Sequence, residues 1–213
     1  MKTIKLLFIL TQVFLTLRLQ AQDSVFSPDL SKVNDSNVWT LYNRDIIPGD
    51  AIHLNSKPGD GILFLKESNF KNGTIELDIK GKDERGRSFV GIAFHGLNDS
   101  IYDVIYFRAF NFKSSDRNSH SVQYISHPQY TWHFLRKEHP EMYENIVNPV
   151  PDPNDWFHVT VKVDYPHVNV FVNNSEKPSL SIDQLSARKE GWIGFWVGNN
   201  SEGYFRNLKV ISE

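Results

Sequence analysis

The stretch SFVGIAFHGLNDSIYDVIYFRAFNF, residues 88–112, decides the fold of this chain, because it reads as two strands joined by the polar turn 97–100. Side chains on a strand alternate between its two faces. One face of the hairpin is apolar and is expected in a core, with Val90, Ile92, Phe94, Ile105 and Phe107. The reverse face carries a mixed set over small residues: His95, Tyr102, Tyr106 and Arg108 over Gly91 and Ala93.

Aromatic rings, the planar donors of arginine and small residues together indicate a shallow groove for a polar ligand such as a sugar. We expect His95, Tyr106 and Arg108 to share one concave surface, with Tyr102 at its rim. The alternative is a solvated sheet face that merely carries tyrosine and arginine. A buried Tyr106, with a domain that unfolds on Arg108→Ala, would indicate that the two faces are inverted.

From residue 38 to the end of the chain the pattern is almost wholly period two, which is typical of strands. Residues 157–163, 168–172 and 192–197 follow it and place Val159, Val161, Val170, Ile193 and Phe195 on inward faces. No segment shows the apolar stripe of an amphipathic helix. Short strands separated by polar turns predict an all-β fold, an antiparallel β-sandwich, in one domain over residues 38–213.

Residues 127–155 interrupt this rhythm with five prolines, which a central strand does not tolerate. Connections of this length in compact domains are often functional. The segment contains Trp132 and Arg136, which we expect to approach the groove from a flap beside the sheet. The alternative is an irregular loop whose aromatic side chains plug a hydrophobic edge.

The first residues read as an export signal. Lys2 and Lys5 precede an apolar run, residues 6–17, and the small Ala21 offers a cleavage point. The run contains polar residues and is shorter than the roughly 20 apolar residues of a membrane span. We predict a signal peptide over residues 1–21, a flexible leader over residues 22–37, and an exported protein, periplasmic or secreted, with no membrane span after cleavage. The Ala21–Gln22 junction resembles those of exported proteins of Bacteroidetes-type bacteria.

Composition excludes several classes of function. The 213 residues contain no cysteine, which removes disulfides, thiolate nucleophiles and Cys-ligated zinc. The net charge is −2, from 23 basic and 25 acidic residues, so nothing in the balance predicts a nucleic-acid partner. The mature chain of about 190 residues is long enough for one domain with a sizeable core.

Six blocks carry a resemblance to a known family. They are FKNGTIELDIKG (70–81), RSFVGIAFHG (87–96), YDVIYFRAFNF (102–112), HSVQYIS (120–126), PDPNDWFHVTVKV (151–163) and GWIGFWVGNNSEGYFRNLKV (191–210). Over residues 38–213 the chain resembles exported bacterial members of the concanavalin A-like lectin/glucanase superfamily, close to the keto-disaccharide hydrolase-like domain family. The resemblance implies a jelly roll of two curved antiparallel sheets. The superfamily contains lectins, laminin-G-like binding domains and glucanases, so its fold alone does not assign a function.

Retaining glucanases on this fold need two carboxyl groups about 5 Å apart. Glu76 and Asp78 share a strand face and are the nearest approach to such a pair, but Lys80 stands where a third acid is expected. A lysine favours the ionised form of a neighbouring carboxylate, which disfavours a general acid. We therefore expect Glu76 and Asp78, the weak catalytic candidates, on a solvated face outside the groove. Asp103 and Glu138 are further uncovered acids that an enzyme could use.

A metal site is not predicted, because the chain has no His-Glu-x-x-His motif and its histidines are scattered. Calcium is common in lectins of this superfamily, and hard oxygen ligands stand at Asn98, Asp99 and Asp103. Their spacing fits no known calcium loop. The prediction is no cofactor, with calcium as the alternative.

Together these patterns predict an exported jelly-roll domain that recognises an oligo- or polysaccharide on its concave face. The predicted ligand-binding residues are His95, Tyr102, Tyr106, Arg108, Trp132 and Arg136. Two alternatives stay open: a glycoside hydrolase or related sugar-cleaving enzyme of the same superfamily, and a laminin-G-like domain that makes structural or protein contacts.

Overall fold

A computed structural model describes residues 24–213, which fold into two packed antiparallel sheets of eight and seven strands. The eight-stranded sheet contains β1 (Ser24–Phe26), β3 (Ile46–Ile47), β4 (Ile52–Lys57), β6 (Gly73–Lys80), β11 (Trp156–Asp164), β12 (His167–Val172), β13 (Leu180–Asp183) and β15 (Ser201–Ser212). The seven-stranded sheet contains β2 (Trp39–Tyr42), β5 (Gly61–Phe70), β7 (Phe89–Gly96), β8 (Tyr102–Arg108), β9 (Val122–His127), β10 (Glu144–Asn145) and β14 (Gly191–Val197). The predicted all-β fold, an antiparallel β-sandwich of the concanavalin A-like jelly-roll type, is confirmed.

Strands that are distant in sequence pair within each sheet. The order is β13-β12-β11-β6-β15-β4-β3 in the eight-stranded sheet, with β1 on β15, and β10-β9-β8-β7-β14-β5-β2 in the seven-stranded sheet. The predicted flap contains one short helix, α1 (Trp132–Glu138), whose first turn is capped by the Thr131 hydroxyl, which accepts a hydrogen bond from the Phe134 amide. Single 3-10 turns lie at Leu30–Lys32, Ala109–Asn111 and Asn118–His120. Helix α1 packs against β9, near the β10 edge of the seven-stranded sheet.

The core lies between the two sheets and follows the alternation seen in the sequence. In the β7–β8 hairpin Val90 pairs with Phe107 and Ile92 with Ile105, so the apolar faces of both strands coincide. All ten residues expected inside are buried: Val90, Ile92, Phe94, Ile105, Phe107, Val159, Val161, Val170, Ile193 and Phe195. Across the core, the rings of Phe195 and Phe205 stack with centroids 4.8 Å apart and join the two sheets.

The N-terminal part of the described chain is more ordered than the sequence predicts. Within the expected leader, β1 pairs with residues 210–212 of β15, and Val33 is buried against the core. An extended Ser-Val-Phe segment satisfies its backbone groups on the free edge of β15, which polarity alone does not reveal. The predicted signal peptide lies outside the described residues. Among residues 24–213, no helix combines the length and the apolar character needed to cross a membrane.

Candidate functional site

An open groove of about 590 Å³ lies on the face of the seven-stranded sheet that points away from the core. Its floor comes from β7, β8, β9 and β14, and its walls come from α1 and from loops beside these strands. Volumes of this size are typical of small-molecule sites in proteins. Four of the six predicted ligand-binding residues line it: Tyr106, Arg108, Trp132 and Arg136.

Tyr106 and Arg108 form the centre of the floor. Both alternate with the core residues of β8, and the register places Tyr106 opposite Gly91 on β7 and opposite Gln123 on β9. The Tyr106 hydroxyl donates to the side-chain oxygen of Gln123, Oε1, at 2.6 Å, and the Arg108 guanidinium donates to both of these oxygens. Burial raises the pKa of Tyr106 to about 12. The phenol therefore remains a neutral donor at any physiological pH.

Tyr106 is buried, which the sequence interpretation had associated with inverted faces. The faces are not inverted, because Val90, Ile92 and Phe94 point into the core while Tyr106 lines the groove. Neighbouring rings cover the tyrosine instead: Trp196 lies 5.2 Å away and Phe89 lies 6.2 Å away, centroid to centroid. The floor of the groove is thus a tightly packed polar and aromatic layer, in which the neighbouring rings bury Tyr106.

Glu144 anchors the arginines of the groove from below. Its carboxylate is almost fully buried and accepts two hydrogen bonds from Arg136, at 3.0 and 2.7 Å, and one from Arg108 at 3.4 Å. His120 Nδ1 is 2.9 Å from the same carboxylate, without hydrogen-bond geometry. Burial raises the pKa of Glu144, but the hydrogen bonds and charge of Arg136, with the charges of Arg108 and His120, outweigh it and hold the pKa below its usual value. A charged Glu144 therefore fixes Arg108 and Arg136 in position.

Helix α1 provides an exposed aromatic wall. About half of the Trp132 side chain is exposed, and the Arg136 guanidinium lies 5.4 Å from the centre of its ring. On the opposite side, Phe89 and Phe110 pack edge to face at 5.4 Å and line the groove. An exposed indole beside a fixed guanidinium presents an apolar face and planar donors together, which suits a sugar ring with its C–H face and its hydroxyl groups.

A histidine–carboxylate pair stands at one side of the groove. His127 Nε2 is 3.6 Å from Asp60 Oδ2, and the side chains are about one quarter and one third exposed. Burial lowers the pKa of His127, while the charge of Asp60 raises it. Burial raises the pKa of Asp60, while His127 and a hydrogen bond from Tyr102 lower it. A neutral imidazole next to a carboxylate is an arrangement that accepts protons.

The structure corrects the prediction for His95. This residue has φ of 48°, and β7 carries two residues, Phe94 and His95, opposite the single Ile193 of β14. Such a bulge reverses the side-chain alternation, so His95 turns away from the groove. It is fully buried, with Nε2 2.8 Å from the Lys71 carbonyl oxygen and Nδ1 3.0 Å from the Gln184 amide nitrogen. His95 is thus a packed structural residue outside the groove.

Tyr102, predicted at the rim, lies behind the histidine–carboxylate pair. It is buried, and its ring lies 5.0 Å from that of His127. Its hydroxyl donates to Asp60 at 3.3 Å. Burial and the charge of Asp60 raise the pKa of this phenol. Tyr102 therefore supports His127 and Asp60 and is not among the residues that line the groove.

The acidic candidates from the sequence lie elsewhere. Glu76 and Asp78 are on β6 of the other sheet, where Glu76 pairs with Lys209 and Asp78 contacts His158 and Arg206. Their predicted place outside the groove agrees with this position. Two further acids do not reach the groove. Asp103 was expected to be uncovered but is fully buried against Arg188 and Tyr124, and Glu138 faces solvent beside Lys137.

No group of three or more His, Cys, Asp or Glu side chains within residues 24–213 is arranged to hold a metal ion. Among the ligands considered for calcium, Asp103 is engaged by Arg188 and Ser186, and the Asn98 and Asp99 side chains bond to Ser100 of their own turn. The absence of a cofactor stays the prediction and calcium stays the alternative, which a calcium titration of the purified protein can test.

Sequence reasoning missed several residues that build the groove: Asp60, Arg85, Phe89, Arg117, His120, His127, Glu144 and Trp196. Alternation carried a signal for three of them, Phe89, His127 and Trp196. Phe89 shares a face of β7 with Gly91, and Trp196 of β14 pairs with Gly91. Gln123, Ile125 and His127 alternate on β9, and their register opposite Tyr106, Val104 and Tyr102 follows once β8 and β9 are paired. Asp60 and Glu144 carried no such signal, because they flank or end strands that come from remote parts of the chain.

Fold and groove define a jelly-roll sandwich of the concanavalin A-like type with an open site on one sheet. The chain belongs to the 3-keto-alpha-glucoside-1,2-lyase-like domain family, which matches residues 29–211. No protein of curated function matches the sequence significantly.

Solved structures share the fold at low sequence identity. The carbohydrate-binding module CBM66 from Bacillus subtilis superposes with a TM-score of 0.61 at 16% identity, over 81% of this chain and 95% of that chain. A putative glycosyl hydrolase from Parabacteroides distasonis has a TM-score of 0.52 at 15% identity, over 83% and 89%. The VIP36 exoplasmic/lumenal domain, in a form bound to Ca²⁺ and Man3GlcNAc, has a TM-score of 0.59 at 9% identity, over 83% and 86%.

Proposed function

We propose that this protein binds a carbohydrate in the groove of its seven-stranded sheet. The observation that carries the proposal is the pairing of an exposed indole, Trp132, with Arg136, which Glu144 holds in place. A sugar ring stacks its C–H face on the indole, and the guanidinium donates to its hydroxyl oxygens. Two proteins that share the fold support this proposal: CBM66 is named a carbohydrate-binding module, and the VIP36 domain was solved in a form bound to Man3GlcNAc.

The residues that line the groove also favour this proposal over a laminin-G-like structural role. A domain that makes only structural contacts needs no concave polar site, whereas four arginines and five large aromatic rings converge here. Several buried polar atoms on groove residues also lack partners within the described chain, namely Asn111 Oδ1, Arg117 Nε, His120 Nδ1 and Trp196 Nε1. Unpaired polar atoms in a folded protein are rare, and they concentrate at sites that take up water or ligand.

Binding to a glycan array tests the proposal, with two aromatic variants on the same helix. We expect Trp132→Ala to weaken binding about tenfold, because it removes the stacking surface. Phe134→Ala is the matched control, since Phe134 is also partly exposed on α1 but does not line the groove. Equal losses in the two variants, or no bound glycan on the array, would contradict the proposal.

Family membership and the His127–Asp60 pair favour a second candidate, eliminative cleavage of a 3-keto-α-glucoside. A ketone at C3 acidifies the proton at C2. The histidine–carboxylate pair takes that proton, the electron pair forms a C1=C2 double bond, the C1–O bond breaks, and the departing oxygen gains a proton. This route needs no second carboxylate, unlike hydrolysis by the two-carboxylate mechanism.

Release of p-nitrophenol from p-nitrophenyl 3-keto-α-glucoside tests this second candidate. We expect release by the unmodified protein and a loss of at least about a hundredfold in His127→Gln, the range of a general base. His139→Gln is the control, because His139 ends helix α1 and does not line the groove. A protein that binds glycans but releases no p-nitrophenol is a binding module only.

We also propose that the protein is exported, because an exported protein encounters the glycans outside the cell. The predicted signal peptide supports it, with cleavage after Ala21. N-terminal sequencing of the protein recovered from its host tests the cut. A mature chain that still begins at Met1 would contradict export.

A further inference from the structure

The groove is rich in arginine side chains. Four of the nine arginines of the chain line it, and no lysine of residues 24–213 does. They come from four separate segments: Arg85 from the loop before β7, Arg108 from the end of β8, Arg117 from the turn before β9, and Arg136 from α1. Asp60 is the one acidic side chain among the residues that line the groove. The groove is thus a positive region on a chain whose net charge is −2.

Part of this positive charge is already compensated inside the protein. The buried carboxylate of Glu144 serves Arg108 and Arg136 together, so one negative charge faces two positive charges. Arg108 also has structural acceptors, such as the His120 carbonyl oxygen, to which it donates at 3.0 Å. Arg108 and Arg136 are thus held in place in the groove. Together with Glu144 they carry one net positive charge.

The charges of the other two arginines, Arg85 and Arg117, are little compensated by carboxylates in the described part of the chain. Arg85 is exposed and has no carboxylate within ion-pair distance in the described part of the chain. Within residues 24–213 the one ion pair of Arg117 is with its neighbour Asp116, at 2.8 Å. Asp116 is about two thirds exposed, so water screens that pair. Arg117 Nε is buried without an acceptor. Donors without acceptors are what an anionic ligand satisfies.

Arg85 and Arg117 act at the same end of the groove. Strands β7, β8 and β9 are neighbours in one sheet: Phe89 at the start of β7 pairs with Arg108 at the end of β8, and Phe107 pairs with Val122 at the start of β9. Because neighbouring strands are antiparallel, the loop before β7, which carries Arg85, and the turn before β9, which carries Arg117, lie at the same end of the sheet. In agreement, the pKa of Asp116 is lowered first by the hydrogen bond from Ser114 and also by the charges of both arginines. Two planar guanidinium groups at one end of a groove match the two oxygens of a carboxylate or the oxygens of a sulfate ester.

We infer that the groove selects a sugar that carries an anionic group, a uronic acid carboxylate or a sulfate ester, which Arg85 and Arg117 receive at one end. The inference rests on the proposed function and names its substrate class. The neutral part of the sugar lies against Trp132, and the charged group lies toward Arg85 and Arg117.

Two matched pairs of polysaccharides test the inference by isothermal titration calorimetry. Pectate is compared with fully methyl-esterified pectin, which has the same backbone without the charge, and dextran sulfate is compared with dextran. Binding to pectate alone identifies the carboxylate as the recognised group, and binding to dextran sulfate alone identifies the sulfate ester. We expect one charged member to bind at least about tenfold more tightly than its neutral partner, and to bind more weakly as NaCl rises from about 50 to about 200 mM.

Two variants in one loop separate specific recognition from general attraction. Arg85→Ala should weaken binding of the charged polysaccharide about tenfold. Arg87→Ala removes the same charge two residues away, from a side chain that pairs with Glu84 at 3.4 Å and does not line the groove, and should change binding less than twofold. Equal losses in both variants would overturn the inference.

Two further outcomes of the calorimetry distinguish a failure of the inference from a failure of the proposed function. If a neutral polysaccharide binds as tightly as its charged partner, the inference is wrong and the proposed carbohydrate-binding function stands. If neither these four polysaccharides nor the glycan array yields binding, the proposed function is wrong and the inference falls with it.

Discussion

Replacing Glu144 with glutamine should destabilise the whole domain. Glu144 is nearly fully buried and accepts from Arg136 at 3.0 and 2.7 Å and from Arg108 at 3.4 Å. Removing one partner of a buried ion pair costs about 3–5 kcal/mol, because it leaves the other charge uncompensated. Glutamine keeps one acceptor oxygen and Arg136 is about one third exposed, so we expect the lower part of that range, about 3–4 kcal/mol.

Urea unfolding at pH 7 measures this loss directly. The midpoint should fall without a change in slope, because the area exposed on unfolding stays the same. For a domain of this size a loss of 3 kcal/mol lowers Tm by roughly 6–12 °C. Glu138→Gln is the control, since Glu138 is exposed on α1 and pairs only with Lys137, and it should change stability by less than about 0.5 kcal/mol.

The difference between the two proteins should depend on pH in a defined direction. The folded pKa of Glu144 is lowered, so its contribution is fully present above the unfolded value of about 4.3 and is lost as pH falls through the folded pKa. The stability gap between the unmodified protein and Glu144→Gln should therefore shrink between about pH 5 and pH 3. Equal urea midpoints at pH 7, or a gap that widens in acid, would refute the role assigned to Glu144.

Three further predictions concern the floor, the core and the histidine pair. Gly91→Ala should cost about 1–3 kcal/mol in urea unfolding, because its Cβ would lie 2.2 Å from the Ile105 carbonyl oxygen; a variant as stable as the unmodified protein would contradict the packing of the floor. Phe195→Ala should cost about 3–5 kcal/mol by the same measurement, since its ring joins the two sheets, and a cost below about 1 kcal/mol would contradict that packing. The ring resonances of His127 should titrate below 6.5 in NMR spectra, and lower still in Asp60→Asn, because burial lowers its pKa and Asp60 raises it; a midpoint above 6.5 would contradict the burial of this ring.

The strands and their inward faces were predictable because alternation is a local property. Val90 and Ile92 on β7, or Val159 and Val161 on β11, are apolar at every second position, and the structure buries all four. The same alternation placed Tyr106 and Arg108 on the reverse face, which is the floor of the groove. Local pattern was sufficient wherever the strand stayed regular.

The prediction failed where the backbone departs from regularity. One additional residue in β7 turns His95 into the interior, and nothing in the letters of that strand marks the bulge. Glu144 was missed for a different reason, because its role depends on Arg108 and Arg136, which reach it from other elements. Contacts between remote segments depend on the register of the whole sheet, which the local alternation of a strand does not reveal.

The most direct test of the central claim is an NMR titration of the indole N–H groups with an oligosaccharide from the tightest-binding glycan of the array. Trp132 and Trp196 line the groove, whereas Trp156 lies on β11 of the other sheet beside Lys80. The account predicts that the resonances of Trp132 and Trp196 shift and saturate together while that of Trp156 stays in place. A shift of Trp156 with Trp132 and Trp196 unmoved would place the binding site on the opposite sheet and contradict the account.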